Sequence, residues 1–239
     1  MKLDLSPYKN ALRLLIPCDW TGRLGAGAFG LGHDVATTEG EFSNPSALTV
    51  VERLGNRFET RLLVRWKSEE YKMRLALIEL VIEDMLSAAI PKRPRRIVVD
   101  ATNERSFAHM IRDQLMGRCP QEDYIASAGI EHRGKKYGAK QLLGDLYCQQ
   151  FEDNVISLPP GDWVYADHQL VKAARGSYVY EEDSVGNHAD AFVANMLAVW
   201  ALLSSKERLE ITAAGPGDTT PKDRQGRIGN SPSSPSLLC

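Results

Sequence analysis

The sequence has little of several features that would mark a specialised class of protein. Its four cysteines are scattered, with no CxxC or His–Cys spacing, which argues against a zinc site or a disulfide framework. No apolar stretch is long enough to span a membrane, and the N-terminus lacks the order of a signal peptide. A formal net charge of −2 gives no overall basic excess that would indicate nucleic-acid binding. We therefore expect a cytoplasmic globular protein that could bind nucleic acid only through a local basic patch.

The 239 residues are enough for one good-sized domain with less regular ends. Prolines and glycines break the periodicity of residues 1–25, which predicts an irregular lead-in, or a linker that once joined an upstream domain. Residues 213–239 are rich in Gly, Pro, Ser and Thr, and a segment of that composition cannot bury a core. We therefore predict a domain over residues 26–212 and a disordered tail after it.

Hydrophobic patterns in the chain predict a mixed α/β fold. The predicted strands and short β-like pieces lie at residues 29–36, 47–53, 58–66, 97–100, 122–127, 155–158, 163–166 and 177–180. The predicted helices lie at residues 69–89, 106–117, 141–151 and 189–203. This order predicts a sheet of three antiparallel strands, to which two parallel strands are added by right-handed crossovers, with helices on both faces.

Three aspartates stand at positions where such a fold places functional groups. Asp34 lies near the end of the first strand, and Asp100 ends the buried strand that begins at Ile97. Asp190 lies in the first turn of the last helix, whose small-residue face can pack closely on a sheet. Each residue alone has a simpler reading, because Asp is common in turns and is favoured by the dipole at a helix N-terminus. Together they predict a convergence at the carboxyl ends of the strands, where open α/β sheets place ligands.

Three converging carboxylates repel one another, and burial raises the cost of ionising them. A divalent cation removes that repulsion, and oxygen ligands without thiolates favour Mg²⁺ or Mn²⁺ over zinc. Two such ions, roughly 3.5–4 Å apart, stabilise the attacking and leaving oxygens of a phosphodiester displacement. His188, close before Asp190, could add a Mn²⁺ ligand or carry a proton, although it is also a natural cap or surface residue.

Three segments carry a resemblance to a known family: GLGHDVATTEGEFSNPSALTVVE, RRIVVDATN and DSVGNHADAFVANMLAVWAL. In order and spacing they resemble the motifs of the C-terminal nuclease domain of phage terminase large subunits, within the ribonuclease H-like superfamily. The resemblance covers residues 28–204. It implies that Asp34, Asp100 and Asp190 bind two Mg²⁺ or Mn²⁺ ions, with His188 as an accessory catalytic residue. It also implies a DNA endonuclease that cuts concatemeric double-stranded DNA in the cytoplasm of the host cell.

The chain departs from a complete terminase in one respect. No GxxxxGK[ST] motif is present, and GRLGAGAFG lacks the Lys-Ser/Thr that would follow in a P-loop. We therefore expect either an excised nuclease domain or a naturally short relative, which could not translocate DNA alone. The resemblance implies the terminase ATPase domain, small subunit and portal as partners, together with double-stranded DNA.

Basic residues cluster between the second and third motifs. They are Arg133, Lys135, Lys136, Lys140, Lys172 and Arg175. If they border the acidic site they would hold DNA phosphates without reading sequence, whereas on solvated loops they would serve solubility. The loop around Arg133 is favoured, since its flanking glycines would let it move against a duplex.

Two other functional readings remain open from the residues. A junction resolvase or another ribonuclease H-like nuclease can also end in an acid-bearing, Ala-rich helix. A catalytically idle phage assembly module would use the fold only to dock on the packaging machinery. Cleavage assays on branched, linear and hybrid substrates separate these readings.

Overall fold

The computed structural model describes residues 2–36, 45–68, 70–174, 176–184 and 186–203. The helices of this part of the chain are α1 (Ser6–Leu12), α2 (Tyr71–Ser87), α3 (Arg105–Leu115), α4 (Ala139–Glu152), α5 (Asp162–Gln169) and α6 (Asp190–Leu203). The strands are β1 (Ala28–Asp34), β2 (Ser46–Leu54), β3 (Arg57–Trp66), β4 (Arg96–Asp100), β5 (Gln121–Tyr124), β6 (Gly129–His132), β7 (Lys135–Gly138), β8 (Ile156–Ser157), β9 (Val171–Ala174) and β10 (Ser177–Tyr180). No helix within these ranges is long and apolar enough to cross a membrane.

The central sheet has the strand order β5-β4-β1-β2-β3-β8. Strands β1, β2 and β3 pair in antiparallel fashion, as the short Gly55-Asn56 turn between β2 and β3 predicts. Strand β4 then pairs parallel to β1, and β5 pairs parallel to β4. The predicted mixed sheet of three antiparallel and two parallel strands is thus confirmed, with the two-residue β8 added in parallel to β3.

Helix α6 packs on one face of the sheet, directly over β1. A Cβ added to Gly32 would lie 2.0 Å from the carbonyl oxygen of Ala194, and one added to Gly30 would lie 2.5 Å from that of Ala198. The backbones can approach this closely only because β1 carries glycine where α6 carries alanine. The predicted small-residue face is therefore confirmed, and it fixes the height of α6 above the strand ends.

The opposite face of the sheet is covered by α3. His33 follows Gly32 along β1, so its side chain points to the face of the sheet opposite to α6. The His33 ring is fully buried and lies 6.4 Å from the ring of Phe107 in α3, measured between centroids. Helices therefore cover both faces, as predicted.

Residues 1–25 differ from the predicted irregular lead-in. They form α1 and two short 3₁₀ segments, Arg13–Leu15 and Trp20–Arg23. Four of their apolar side chains join the core: Leu5, Leu12, Ile16 and Trp20. Trp20 is buried and its indole N–H donates to Asp84 of α2 at 3.1 Å. Burial against α2 outweighs the local effect of Pro7 and Pro17, so the expectation of irregularity is wrong for this segment. The division of the chain at residue 25 stays a prediction, and residues 213–239 lie outside the described residues.

Two segments between the second and third motifs also differ from expectation. Residues 163–166, predicted as a strand, belong to helix α5. Residues 131–140, predicted as a polar loop, contain most of the β6–β7 hairpin. Its turn residues Arg133 and Gly134 have φ values of 51° and 76°, and two consecutive positive φ values are typical of a tight hairpin turn.

Candidate metal centre

Asp34 and Asp100 end neighbouring parallel strands. The register pairs Gly32 with Val98 and His33 with Val99, so the next residue on each strand carries a carboxylate at the same edge of the sheet. Antiparallel neighbours would have placed the two aspartates at opposite ends of the sheet. The parallel crossover from α2 into β4 is therefore what brings them together.

Asp190 reaches the same edge from above, as the first residue of α6. All three aspartates line one cavity of about 510 Å³. His188 and Lys140 line it too, and its remaining walls come from Val35, Ala36, Thr102, Asn103, Glu104, Val179, Tyr180 and Val193. The structure thus brings the three aspartates to one cavity, and their role as metal ligands stays a prediction.

Burial makes the three carboxylates difficult to ionise, and nearby negative charges add to this effect at Asp34 and Asp190. Burial raises the pKa of Asp34 well above its usual range, and repulsion from Asp100 and Asp190 raises it further. Burial also raises the pKa of Asp100, although the Thr102 backbone N–H, which donates at 2.8 Å, acts in the opposite direction. For Asp190, burial followed by the nearby charge of Asp167 raises the pKa to about 7, against a partial offset from Arg65. Without a cation the three carboxylates are therefore costly to ionise, and a bound cation would lower that cost.

The donor set can be tested against the chemistry of a metal ion. Asp190 is 4 % exposed, and its Oδ2 atom is buried without a hydrogen-bond partner in the described part of the chain. An unpaired buried carboxylate oxygen is costly unless something compensates it, and a divalent cation would do so. Within the described ranges, however, no group of three His, Cys, Asp or Glu side chains is arranged so that it could hold a metal ion. The three carboxylates thus share a cavity, and their oxygens suit a hard cation. Their side chains are not yet arranged around a single metal position.

His188 lies at the mouth of this cavity. Its side chain is 33 % exposed, and Nε2 lies 3.3 Å from Glu182 Oε2. Asp183, five residues earlier, accepts hydrogen bonds from the backbone and side-chain N–H groups of Asn187. These contacts shape the turn that leads into α6.

Of the six predicted DNA-binding residues, the structure brings Lys140 to the cavity. Its Nζ atom lies 3.8 Å from the centroid of the Tyr180 ring. Burial lowers the pKa of Lys140, and the charge of Asp100 acts in the opposite direction. Arg133, Lys135 and Lys136 are exposed on the β6–β7 hairpin, and Lys172 is exposed on β9. None of these four lines the cavity. Arg175 lies outside the described residues.

Three further residues at the site were missed from the sequence. Glu104 lines the cavity. Arg65 of β3 donates a hydrogen bond to Asn187, and its charge lowers the pKa of Asp190. Asp167 of α5 accepts hydrogen bonds from the backbone of α6 beside Asp190. No local signal could have found Arg65 or Asp167, because each reaches the site only through packing between distant segments.

No protein-family model and no curated protein sequence matches the chain. Solved structures do match its fold. The nuclease domain of the human cytomegalovirus terminase aligns over 87 % of this chain and 100 % of its own, with a TM-score of 0.50 and 12 % identity. A mutant nuclease domain of the large terminase subunit gp2 of bacterial virus Sf6, with manganese and β-thujaplicinol, aligns over 81 % of this chain and 94 % of its own, with a TM-score of 0.55 and 11 % identity. The chain therefore has the ribonuclease H-like fold of terminase nuclease domains.

Proposed function

We propose that this chain is a divalent-metal-dependent DNA endonuclease of the terminase type. The observation that carries the proposal is the convergence of Asp34, Asp100 and Asp190 on one cavity. The fold supports it, because the same architecture occurs in a terminase nuclease domain solved with manganese. Its substrate would be concatemeric double-stranded DNA, cut in the cytoplasm of the host cell during genome packaging.

Asp34, Asp100 and Asp190 would hold the metal, with His188 as an accessory group. When bound, two Mg²⁺ or Mn²⁺ ions would supply Lewis-acid stabilisation of the attacking and leaving oxygens. The remaining work falls to the chain itself. The ends of β1 and β4 would position Asp34 and Asp100, and the first turn of α6 would position Asp190. His188, a partly exposed residue of the cavity wall, would accept a proton from an incoming water molecule.

DNA would approach across the basic residues near the cavity. Lys140, on the cavity wall, would contact the scissile phosphate as a point charge. Arg133, Lys135, Lys136 and Lys172, together with Arg175, would hold flanking phosphates without reading sequence. The terminase ATPase domain, small subunit and portal are the proposed protein partners.

Cleavage of supercoiled plasmid tests the proposal. The wild-type protein should convert it to nicked and linear forms with Mn²⁺ or Mg²⁺ and should do nothing in EDTA. Asp100→Asn should abolish cutting, because it removes a metal ligand while nearly preserving side-chain volume. Asp113→Asn, an exposed residue of α3, is the matched control and should cut like the wild type. Equal cutting by Asp100→Asn and the control would refute the assignment.

A catalytically idle assembly module is the second candidate, and one observation favours it. Among the described residues, no group of three His, Cys, Asp or Glu side chains is arranged so that it could hold a metal ion. That reading predicts no change in melting temperature with Mn²⁺ and no cleavage of any DNA. A junction resolvase would instead prefer branched DNA to linear duplex, so a competition between these substrates separates it from the packaging nuclease.

A further inference from the structure

The first turn of α6 is held by a residue from another helix. The leading N–H groups of any α-helix have no partner within the helix and must find one elsewhere. Here the backbone N–H groups of Ala191 and Phe192 donate to the two carboxylate oxygens of Asp167, at 3.1 and 2.9 Å. Asp167 lies 24 residues before Ala191, in α5, so this is a helix cap supplied by tertiary structure.

The approach to α6 makes such a cap necessary. Ala189, directly before Asp190, has a φ of 59°, in the left-handed region that a non-glycine residue adopts only at a cost. Asp190 and the two residues after it are buried, so water cannot satisfy their N–H groups. The carboxylate of Asp167 therefore stabilises a start of α6 that would otherwise be unfavourable.

Asp167 is itself held in a rigid position. It is 3 % exposed, and the adjacent His168 is clamped on both ring nitrogens. One nitrogen bonds to the carbonyl of Val164 at 2.8 Å, and the other to the hydroxyl of Tyr147 in α4 at 2.9 Å. The His168 ring also packs on Phe192, with the centroids 5.5 Å apart. Helix α5 thus joins α4 to the beginning of α6 and leaves Asp167 little freedom.

We infer that Asp167 is a positioning residue for the metal centre, which holds the first turn of α6 so that Asp190 projects into the cavity beside Asp34 and Asp100. This inference rests on the proposed function. It does not make Asp167 a metal ligand, because its two oxygens already accept hydrogen bonds from the helix and it does not line the cavity. Its effect on the metal acts through the placement of Asp190.

Asp167→Asn is the informative variant, because an amide offers one acceptor where two N–H groups require two. Groups that orient metal ligands typically change metal affinity by about 10–100-fold when they are altered. We therefore expect Asp167→Asn to raise the Kd for Mn²⁺ by about 10-fold or more. Asp167→Glu, which keeps both acceptors on a longer side chain, should recover part of that affinity.

A purely structural cap would lower stability without changing metal affinity, so the control must also be destabilised. Glu79→Gln is suitable, since Glu79 is a buried carboxylate of α2 with ion pairs to Lys9 and Arg118, outside the cavity. Mn²⁺ affinity would be measured by titration calorimetry well below each melting temperature, with folding checked by circular dichroism. Glu79→Gln should melt earlier than the wild type but bind Mn²⁺ equally well.

Cleavage at increasing Mn²⁺ concentration gives a second readout. Asp167→Asn should need more Mn²⁺ for half-maximal rate and approach the wild-type rate at saturation, whereas Asp190→Asn should stay inactive at every concentration. If Asp167→Asn binds Mn²⁺ as tightly as the wild type, or behaves like Glu79→Gln, the inference is overturned. If the wild type itself binds no Mn²⁺ and cuts no DNA, the proposed function fails, and this inference fails with it. Should Asp167→Asn not fold, the same affinity comparison is made with Asp167→Glu.

Discussion

In the absence of metal, the buried aspartates of the cavity should lower stability as pH rises, because they resist ionisation. The pKa of Asp190 rises from 3.8 to about 7 on folding, mainly through burial. Between these values the folded state binds a proton that the unfolded state has released, so the free energy of unfolding decreases with pH across this window. At pH 7 the folded state has still released only about half of this proton, so the loss is complete only at about pH 8 and above.

The size of the effect follows from the two pKa values. A folded-state pKa that is higher by about three corresponds to a total loss of about 4 kcal/mol, of which about 3 kcal/mol falls between pH 5 and pH 8. Asp34 and Asp100 act in the same direction. His33 and His168 act in the opposite direction, because burial lowers the pKa of each to about 4, so each stabilises the fold as pH rises towards 6.5. Only a comparison with a variant isolates Asp190.

Urea unfolding at pH 5, 6, 7 and 8 in EDTA, for the wild type and for Asp190→Asn, provides that comparison. The variant should gain on the wild type as pH rises, by about 3 kcal/mol between pH 5 and pH 8. Saturating Mn²⁺ at pH 8 should stabilise the wild type by about 3 kcal/mol at 100 times the Kd, and the variant much less. Asp113→Asn should follow the wild type throughout. Parallel pH profiles for the wild type and Asp190→Asn would refute this account of the site.

Three further predictions follow from the contacts. Gly32→Ala should destabilise the protein by about 3 kcal/mol or more in thermal melts, because its Cβ would overlap the backbone of α6; an unchanged melting temperature would contradict the packing. Lys140→Met should lower kcat for DNA cleavage about 100-fold, whereas Lys136→Met should mainly raise KM and reduce the salt dependence of DNA binding; similar kinetic effects from both would contradict the distinction between cavity and hairpin. Glu52→Gln should cost about 3 kcal/mol and expose residues 1–25 to proteolysis, since Glu52 is fully buried and accepts hydrogen bonds from Gly25 and Gly27. Proteolysis of the N-terminal segment at the wild-type rate would show that it is held by other contacts.

The errors of the sequence prediction have identifiable physical causes. The segment from Trp163 to Ala166 contains aromatic and β-branched side chains, which favour strands when neighbours are ignored. In the fold it forms a helix, in which Val164 is buried and Tyr165 remains 68 % exposed. The hydrogen bonds from α6 to Asp167 hold the end of this helix in place. Tertiary contacts overrode local propensity there, as they did where α1 packs on α2.

The sequence by itself determined the central sheet and the positions of three aspartates, two at strand ends and one at the start of the last helix. The apolar run that ends in Asp100 and the alanines behind Asp190 specify a buried strand and a closely packed helix, and neighbouring parallel strands must end at the same edge. Only the tertiary structure decided which other groups surround those carboxylates. Lys140 enters the cavity, and Asp167 caps α6, through contacts between segments far apart in the chain. Local periodicity cannot encode such contacts, because they depend on how helices pack after the sheet has formed.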